Sequence, residues 1–409
     1  MTSRRLVVPL LLGALLLGGC EWLWSRDNPC DSPAAGGFCL TAGGGLADWG
    51  KDIAVSAGGN SHVTGSFAGA AAFGPFALTA RGKATGDAAA GGGTADVFVA
   101  QVSPAGAFNW AVSAGGDGAD YANGVATDSG GNIYVTGSFA GTASFGSHVR
   151  TAKGQHDVFV AQLSPTGKFR WVVRAGGVHN DYANDIAVDS AGNSYIMGSF
   201  YKSAVFGPTA LTAHGPNSFD VFVAQVSPQG KFRWALSAGG PMMDFGNGVA
   251  VDSGGNVYVT GEFAGQATFG GTTLTARGSH DVFVGKVSPQ GKSGQGKFQW
   301  VISAGDVGHD YGKGVTVDSG GNVYVTGEFT RRAVFGATTL QGPGGMFFAA
   351  KVSPGGAGGK GVFTWARTAG DMGEGRGNRV AVDAAGNGYV TGQLTSEGEG
   401  DVLIWKLAK

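Results

Sequence analysis

The sequence carries little charge and no long run of one sign. Asp, Glu, Lys and Arg make up 14% of the 409 residues, the formal net charge is −1, and no stretch holds five or more like charges. Proteins that bind nucleic acid usually show a basic patch, and proteins held electrostatically at membranes show a polybasic segment. The sequence therefore predicts no nucleic-acid partner.

The motifs of common active sites are also missing. The seven histidines show no His-Glu-x-x-His or other fixed metal spacing. No serine lies in a Gly-x-Ser-x-Gly elbow, and no glycine-rich loop leads through Gly-Lys-Ser/Thr into a helix. We expect no catalytic residue, no cofactor and no metal site, and we interpret the histidines as ordinary loop residues.

Cysteine is scarce, and all three cysteines lie near the N-terminus. Arg4 and Arg5 precede an apolar run from Leu6 to Leu17 and the sequence Gly18-Gly19-Cys20, which is the order of an export signal. The run is too short to remain as a membrane-spanning helix. We predict a signal peptide over residues 1–19 and a linker over 20–36.

The Leu-Gly-Gly-Cys ending of this signal resembles the bacterial lipobox, which implies that Cys20 is lipidated and anchors the protein in the cell envelope, with the outer membrane favoured over the inner. A plain secretory signal with an incidental Cys20 is the alternative. In an oxidising compartment, Cys30 and Cys39 would remain as a pair able to form a local disulfide. Two free thiols are the alternative for that pair.

Glycine, by contrast, is abundant, with 78 residues, and it accompanies a long repeat. A unit that begins with Asp and usually an aromatic residue recurs at intervals of roughly 60–70 residues, the size of one four-stranded unit. Its starts are Asp48, Asp120, Asp181, Asp244 and Asp310, with a degenerate sixth around Gly375.

Each unit predicts four strands. In the unit of Asp244, "GVAVD" and "NVYVTGEF" form a hairpin through Ser-Gly-Gly, and "DVFVGKVS" and a Phe-x-Trp strand follow after a longer connection. The apolar runs are nearly continuous, so both faces of each sheet should be buried, as in blades packed around an axis. The sequence predicts an all-β, single β-propeller over residues 37–409.

The two ends of the chain complement each other. Residues 37–44, "GFCLTAGG", match the fourth strands, whereas the final "DVLIWKLAK" matches a third strand with no fourth strand after it. We predict six four-stranded blades, the last closed by the N-terminal strand, with seven blades as the alternative.

The pattern "DVFVAQVSPxGxFxWxxxAGGxxxDYxNGVAVDSGGNVYVTGSF" resembles the bacterial β-propeller repeat called SBBP, and its "GVAVDSGGNVYV" core is similar to NHL repeats. The resemblance covers residues 37–409. It implies a propeller and little about activity, and it has been associated with seven blades.

Acidic residues that recur in five of the six units are better explained by turns than by chemistry. Asp128, Asp189, Asp252, Asp318 and Asp383 end the first strands. An Asp there can accept backbone N–H groups of the following turn. A calcium loop is the alternative, but each copy offers only one carboxylate.

Residues that break the repeat are the candidate ligand or partner contacts. They lie mostly in the loops between the second and third strands and between blades, which we predict to share one face, the top face, opposite the lipid tether. They are Lys51, Tyr201, Lys202, Lys313, Arg331, Arg332, Arg376 and Arg379. Solvated loop charges are the alternative interpretation. Glu262 and Glu328, which replace Ser near the end of the second strand, form one further carboxylate pair.

The first functional hypothesis is a non-enzymatic lipoprotein, monomeric, whose propeller binds a protein or glycan partner on the top face. The alternative is a propeller enzyme, a hydrolase or lyase, with a site at the central opening of that face. A passive structural surface protein is a third possibility. Propellers assemble sites from distant blades, so the missing motifs do not decide between these.

Overall fold

The protein folds as an all-β propeller. A computed structural model describes residues 6–9, 38–82, 94–289, 295–355, 359–368, 374–396 and 399–407. Antiparallel sheets follow one another along the chain, one for each sequence repeat. The described part contains five four-stranded units and one three-stranded unit, numbered 1 to 6 in chain order. Whether the complete ring has six or seven blades stays a prediction.

Each unit carries its strands in the predicted order, and most have an additional short outer hairpin between the second and third strands. Two strands precede unit 1: β1 (Leu6–Pro9) and β2 (Cys39–Gly44). Unit 1 comprises β3 (Asp48–Val55), β4 (Ser61–Ala68), β5 (Ala70–Phe73), β6 (Phe76–Thr79), β7 (Ala95–Val102) and β8 (Phe108–Gly116). Unit 2 comprises β9 (Tyr121–Thr127), β10 (Ile133–Phe139), β11 (Thr142–Phe145), β12 (His148–Thr151), β13 (Asp157–Leu163) and β14 (Phe169–Ala175).

Units 3 and 4 repeat this six-strand pattern, whereas the outer hairpin of unit 5 is continuous with its two middle strands. Unit 3 comprises β15 (Asp181–Val188), β16 (Ser194–Tyr201), β17 (Ser203–Phe206), β18 (Thr209–Thr212), β19 (Phe219–Val226) and β20 (Phe232–Ala238). Unit 4 comprises β21 (Phe245–Val251), β22 (Val257–Phe263), β23 (Gln266–Phe269), β24 (Thr272–Thr275), β25 (Asp281–Ser288) and β26 (Lys297–Ala304). Unit 5 comprises β27 (Tyr311–Val317), β28 (Val323–Phe335), β29 (Thr338–Pro354) and β30 (Gly361–Arg367), and unit 6 comprises β31 (Glu374–Val382), β32 (Gly388–Ser396) and β33 (Glu399–Leu407).

The turn between the first and second strands is held by the repeated aspartate. In unit 2, one carboxylate oxygen of Asp128 accepts the N–H groups of Gly130 and Asn132, each at 2.9 Å, and the other accepts the Asn132 amide and the Tyr134 hydroxyl. Asp189, Asp252, Asp318 and Asp383 likewise accept the N–H of the Asn four residues on and the hydroxyl of the Tyr six residues on. Turn capping is thus confirmed as the role of these aspartates.

Burial is complete only in the middle of each sheet. The second and third strands of unit 2, Ile133–Phe139 and Asp157–Leu163, are buried at every position. The inner and outer strands, such as Tyr121–Thr127 and Phe169–Ala175, are only partly buried. The prediction that both faces are covered therefore holds for the middle strands, where neighbouring sheets pack most closely.

Two contacts join consecutive units from unit 1 through unit 5. The end of a fourth strand pairs with the outer hairpin of the following unit, as when Gly116 lies opposite Ala143. The fourth-strand tryptophan then covers a turn glycine of the next unit, so that a Cβ on Gly167 would lie 2.8 Å from Trp110. The repeated Phe of the outer hairpin packs inward, with the Phe145 and Phe159 rings 4.9 Å apart.

The N-terminal strand makes the contacts of a fourth strand on one side only. Gly43 pairs with Ala72 of the unit 1 hairpin, and Phe38 lies against Gly106, where other units place tryptophan. We predicted that the opposite edge of Cys39–Gly44 would pair with Glu399–Leu407. In the structure it pairs with Leu6–Pro9 instead.

The prediction that the N-terminal strand closes the last blade is therefore corrected for the described residues. The physical reason lies in the register. Leu6 faces Ala42 as Val158 faces Ala175 in unit 2, so Leu6–Pro9 occupies the place of a third strand. Strand pairing rests on backbone hydrogen bonds, and a second apolar extended segment can therefore take the same edge.

Several predictions fall on residues outside the described part of the chain. These are the lipidation of Cys20, the linker 20–36 and, apart from Leu6–Pro9, the signal peptide 1–19. Cys39 is disulfide-bonded, but Cys20 and Cys30 lie outside the described ranges. The Cys30–Cys39 pairing therefore stays a prediction.

Candidate binding face

The first strands of the units line the axis. They lie so close to one another that only some of them have room for a side chain at the innermost position. At the innermost position, Gly124, Gly248 and Gly314 each have no room for a Cβ without moving the next unit's backbone. A Cβ on Gly314, for example, would lie 2.9 Å from the Cα of Arg379. The equivalent positions in units 1, 3 and 6 carry Asp52, Asp185 and Arg379.

These three side chains meet in the centre of the ring. The guanidinium group of Arg379 lies 2.7 Å from the Asp185 carboxylate and 3.4 Å from that of Asp52. Each carboxylate also accepts a backbone N–H of the following unit, from Val125 and Val249, at 2.8 Å. Burial raises the pKa of Asp52, although Arg379 opposes the shift. Arg379 is thus an ionic link across the axis between unit 6 and units 1 and 3.

One end of the sheets gathers the connections that we predicted to form the top face. There, the start of a third strand lies beside the start of the next unit's first strand, in parallel bridges between His156 and Asn180 and between His280 and His309. We call this end the top face. Lys51, Tyr201, Lys313 and Arg376 all belong to the top-face ends of their strands.

Aromatic residues surround the mouth of the axis on this face. One occurs in each of units 1 to 5, at the second position of the repeat: Trp49, Tyr121, Tyr182, Phe245 and Tyr311. Trp49 is exposed and the other four are half-buried. Between them, His156 stacks on Tyr121, and Phe219 stacks on Tyr182 with centroids 6.2 Å apart. Together the five aromatic residues form a partly exposed rim.

In units 4 to 6 this aromatic rim adjoins a charged network. Glu262 is buried and accepts a hydrogen bond from the Asn247 amide, and its other oxygen lies 3.5 Å from Nζ of Lys313. In the next unit, Glu328 lies 3.1 Å from Nε of Arg376. We call these five residues the acidic sector.

Electrostatics distinguish the two glutamates from surface carboxylates. Burial raises the pKa of Glu262 to about 7, although Lys313 and Asn247 oppose the shift and Glu328 adds to it. Burial also raises the pKa of Glu328, opposed by Arg376 and Lys313. The acidic sector can therefore hold or release a proton near neutral pH, and it offers hydrogen-bond donors and acceptors beside the Tyr311 ring, 4.7 Å from Lys313 Nζ.

The remaining predicted contact residues do not join this sector. Lys202 has a positive φ of 61° and lies over the Tyr201 ring at 5.5 Å. Arg331 also has a positive φ, of 63°, and is exposed, while Arg332 forms an ion pair with Asp306.

Lys51 is exposed on the first strand of unit 1. The structure thus brings Lys313 and Arg376 together, places Arg379 in the axis, and leaves the others apart.

Sequence reasoning missed a second class of buried carboxylates at the unit junctions. Gly115 has no room for a Cβ because Asp96 and Asp120 both lie against it, and burial raises the pKa of Asp120 to about 7, with Asp96 adding to the shift. Three later junctions repeat the arrangement around Gly176, Gly239 and Gly305. The signal was present, because these aspartates recur in most units, but the sequence does not show that they face each other.

The described residues were also searched for two kinds of site that sequence motifs would not reveal. Within those ranges, no group of three or more His, Cys, Asp or Glu side chains is arranged to hold a metal ion. In the same ranges, no helix has the length and apolar character needed to cross a membrane.

Comparison with known proteins supports the repeat and the fold. The model of the SBBP β-propeller repeat matches residues 109–138, 170–199, 238–262 and 299–328. An uncharacterized WD repeat-containing protein of Acanthamoeba polyphaga mimivirus is 28% identical over 250 residues. That match covers 51% of this chain and only 17% of the viral protein.

The solved structures that the comparison found are distant from this chain in sequence. A gluconolactonase from Xanthomonas campestris is 12% identical, with a TM-score of 0.40 over 85% of this chain and 84% of the other. A protein of unknown function from Bacteroides caccae is 9% identical, with a TM-score of 0.35 over 79% and 82%. These similarities are too low to inform the site. The four repeat matches and the blade-like sheets together identify this chain as a repeat protein of the SBBP β-propeller type.

Proposed function

We propose that the protein is a bacterial envelope lipoprotein whose propeller is a non-enzymatic binding scaffold, with the acidic sector and the adjoining aromatic rim as its binding site for a protein or glycan. The observation that carries this proposal is the asymmetry of the top face. Units 1 to 3 place Ser66, Ser138 and Ser199 where units 4 and 5 place Glu262 and Glu328.

The chemistry of the sector favours a polar partner over a simple anion. Lys313 and Arg376 each face a carboxylate, so their charges are largely matched within the protein. What remains available is a set of hydrogen-bonding groups beside half-exposed rings, which suits a partner that presents hydroxyl or amide groups. Variable residues on a rigid scaffold are a common arrangement for recognition.

The chain itself supplies substitutions that test this site. Glu262→Ser and Lys313→Asn convert unit 4 and unit 5 positions to the residues of units 2 and 3, where the fold already accommodates them. A soluble form covering residues 21–409 would be used to capture partners from the solubilised envelope of the source organism. Lys51→Asn makes the same exchange in unit 1 and is the control.

We expect a partner retained by the unmodified protein and by Lys51→Asn, and lost with Glu262→Ser combined with Lys313→Asn. Equal retention by all three proteins would overturn the assignment of the site to the acidic sector. Membrane attachment is tested separately: Cys20→Ser should release the protein into the soluble fraction, and a variant that still sediments with membranes would contradict lipid anchoring.

One observation favours the enzymatic alternative. A buried carboxyl such as Glu262, with a pKa near neutrality and beside Lys313, is a suitable general acid or base. If a hydrolase or lyase activity were found, Glu262→Gln should lower kcat by at least about a hundredfold while Lys51→Asn leaves it unchanged.

A further inference from the structure

Two histidines that are far apart in the sequence lie side by side on the top face. His280 precedes the third strand of unit 4, and His309 precedes the first strand of unit 5. Their Nδ1 atoms are 3.3 Å apart, and the ring centroids are separated by 5.4 Å with 24° between the ring planes.

The backbone fixes this arrangement. The two residues form a parallel bridge, in which the N–H of Asp310 donates to the His280 carbonyl at 2.9 Å. The Thr330 hydroxyl donates to the His309 carbonyl at 2.8 Å. The ring of Tyr311 packs against both imidazoles, with centroids about 6 Å away. The imidazoles are thus positioned by three separate elements.

The separation of the two nitrogens matches a metal-binding pair. Zinc binds imidazole nitrogen at about 2.0–2.1 Å, so two nitrogens on a tetrahedral ion lie about 3.3–3.4 Å apart. Imidazole ligands suit Zn²⁺, Cu²⁺ and Ni²⁺. His309 is exposed, which gives an ion access from solvent. The charge of Lys313, which would oppose a cation here, is paired with Glu262.

We propose that His280 and His309 form a two-histidine site for Zn²⁺ or a similar divalent transition-metal ion, with the remaining coordination positions taken by water or by a group of the bound partner. This site shares no ligand with the acidic sector, although Lys313 of that sector lies near it, and coordination by a bound partner rests on the proposed function. The protein supplies two of its ligands, His280 and His309.

An internal comparison shows that the pair can be changed without altering the fold. At the junction of units 2 and 3, the same bridge carries His156 and Asn180, with Nδ1 and Oδ1 3.3 Å apart. His309→Asn therefore recreates a pair that the chain already contains. The reciprocal change, Asn180→His, places two imidazoles on an equivalent bridge.

The test is calorimetric titration of the full-length protein with Zn²⁺, with circular dichroism to show that every variant is folded. We expect His309→Asn to weaken binding of one Zn²⁺ by at least about tenfold. His179→Asn, at a top-face histidine outside the pair, should leave binding unchanged. Asn180→His should add a second bound ion.

Three outcomes would overturn the proposal. Unmodified protein and His309→Asn could bind Zn²⁺ with equal affinity, which would make the 3.3 Å contact only an N–H to N hydrogen bond. His309→Asn and His179→Asn could weaken binding equally, which would indicate non-specific binding. Asn180→His could fail to bind a second ion, which would show that the bridge geometry does not create a site.

Discussion

The junctions between consecutive units and the junction at the N-terminal strand are built from the same contacts but are completed differently. Between units 2 and 3, the outer strand Phe169–Ala175 pairs on one side with its own unit and on the other with the next unit's hairpin. Before unit 1, Cys39–Gly44 contacts the hairpin in the usual way, but its own-unit side is taken by Leu6–Pro9.

This difference shows that side chains determine the partner of one edge of Cys39–Gly44, whereas the other edge pairs through backbone groups alone. The contacts toward unit 1 depend on particular residues, namely Phe38 over Gly106 and Gly43 opposite Ala72. The opposite edge depends only on unpaired N–H and C=O groups, which any extended segment can satisfy. Across the axis, Arg379 links unit 6 to units 1 and 3 through side-chain contacts that do not involve that edge.

Deleting residues 37–44 should lower the free energy of unfolding more than any other change considered, because it removes the N-terminal strand itself. The deletion removes both the hairpin pairing and the Phe38 contact, so we expect the free energy of unfolding to fall by at least about 5 kcal/mol. Thermal and chemical denaturation would measure it. An eight-residue deletion of residues 84–91, which belong to the stretch that makes the first sequence repeat longer than the others, is the control. Equal stability of the two deletions would show that the N-terminal strand does not hold unit 1.

Arg379→Met should have the next largest effect on the free energy of unfolding. The substitution leaves Asp52 and Asp185 buried near each other without a cation, which we expect to cost about 3 kcal/mol, at the low end for buried pairs because 32% of the Arg379 side chain is exposed. Chemical denaturation checks this. Adding Asp52→Asn and Asp185→Asn should recover part of the loss, whereas a variant as stable as the unmodified protein would contradict the ionic link.

The pH dependence of stability that comes from any one regular junction should be smaller still. Burial raises the pKa of Asp120 to about 7, so between the ordinary Asp pKa and about 7 the folded protein holds a proton that the unfolded chain has released. This contribution to stability is complete at low pH and is lost as the pH rises toward 7. We expect about 1 kcal/mol per junction between pH 5 and pH 8.

Urea denaturation at pH 5 and pH 8 measures that change. Asp120→Asn should reduce the difference between the free energies of unfolding at pH 5 and pH 8 more than Asp48→Asn does. The reason is that Asp120 is fully buried, whereas Asp48 remains 9% exposed. A stability that increased from pH 5 to pH 8 would show that the buried carboxyl pairs do not behave as proposed.

The repeat made most of the fold predictable. Four strands per unit, the Asp-capped turns and the meeting of loops on one face all follow from local patterns that recur, and recurrence averages out local ambiguity. The outer hairpins were missed because their four-residue strands, such as Thr142–Phe145, are short and weakly patterned. The strand opposite Cys39–Gly44 was predicted wrongly because two apolar segments fit one edge.

The candidate site was less predictable, for a geometric reason. Lys313 and Arg376 could be selected because they break the repeat, and Glu262 and Glu328 for the same reason. Nothing in the sequence shows that Arg379 faces two carboxylates across the axis, since those residues come from units 1 and 3. Contacts between units depend on ring geometry, which no local spacing encodes.

The register of Leu6–Pro9 has a consequence for how the chain can assemble. Leu6 opposite Ala42 occupies the position that the repeat assigns to Val402, so the two segments are mutually exclusive partners of one strand. While the first is bound, the second cannot pair there, and a chain lacking residues 1–19 carries no such competitor. Removal of residues 1–19 would therefore leave that edge of Cys39–Gly44 open for pairing with Glu399–Leu407.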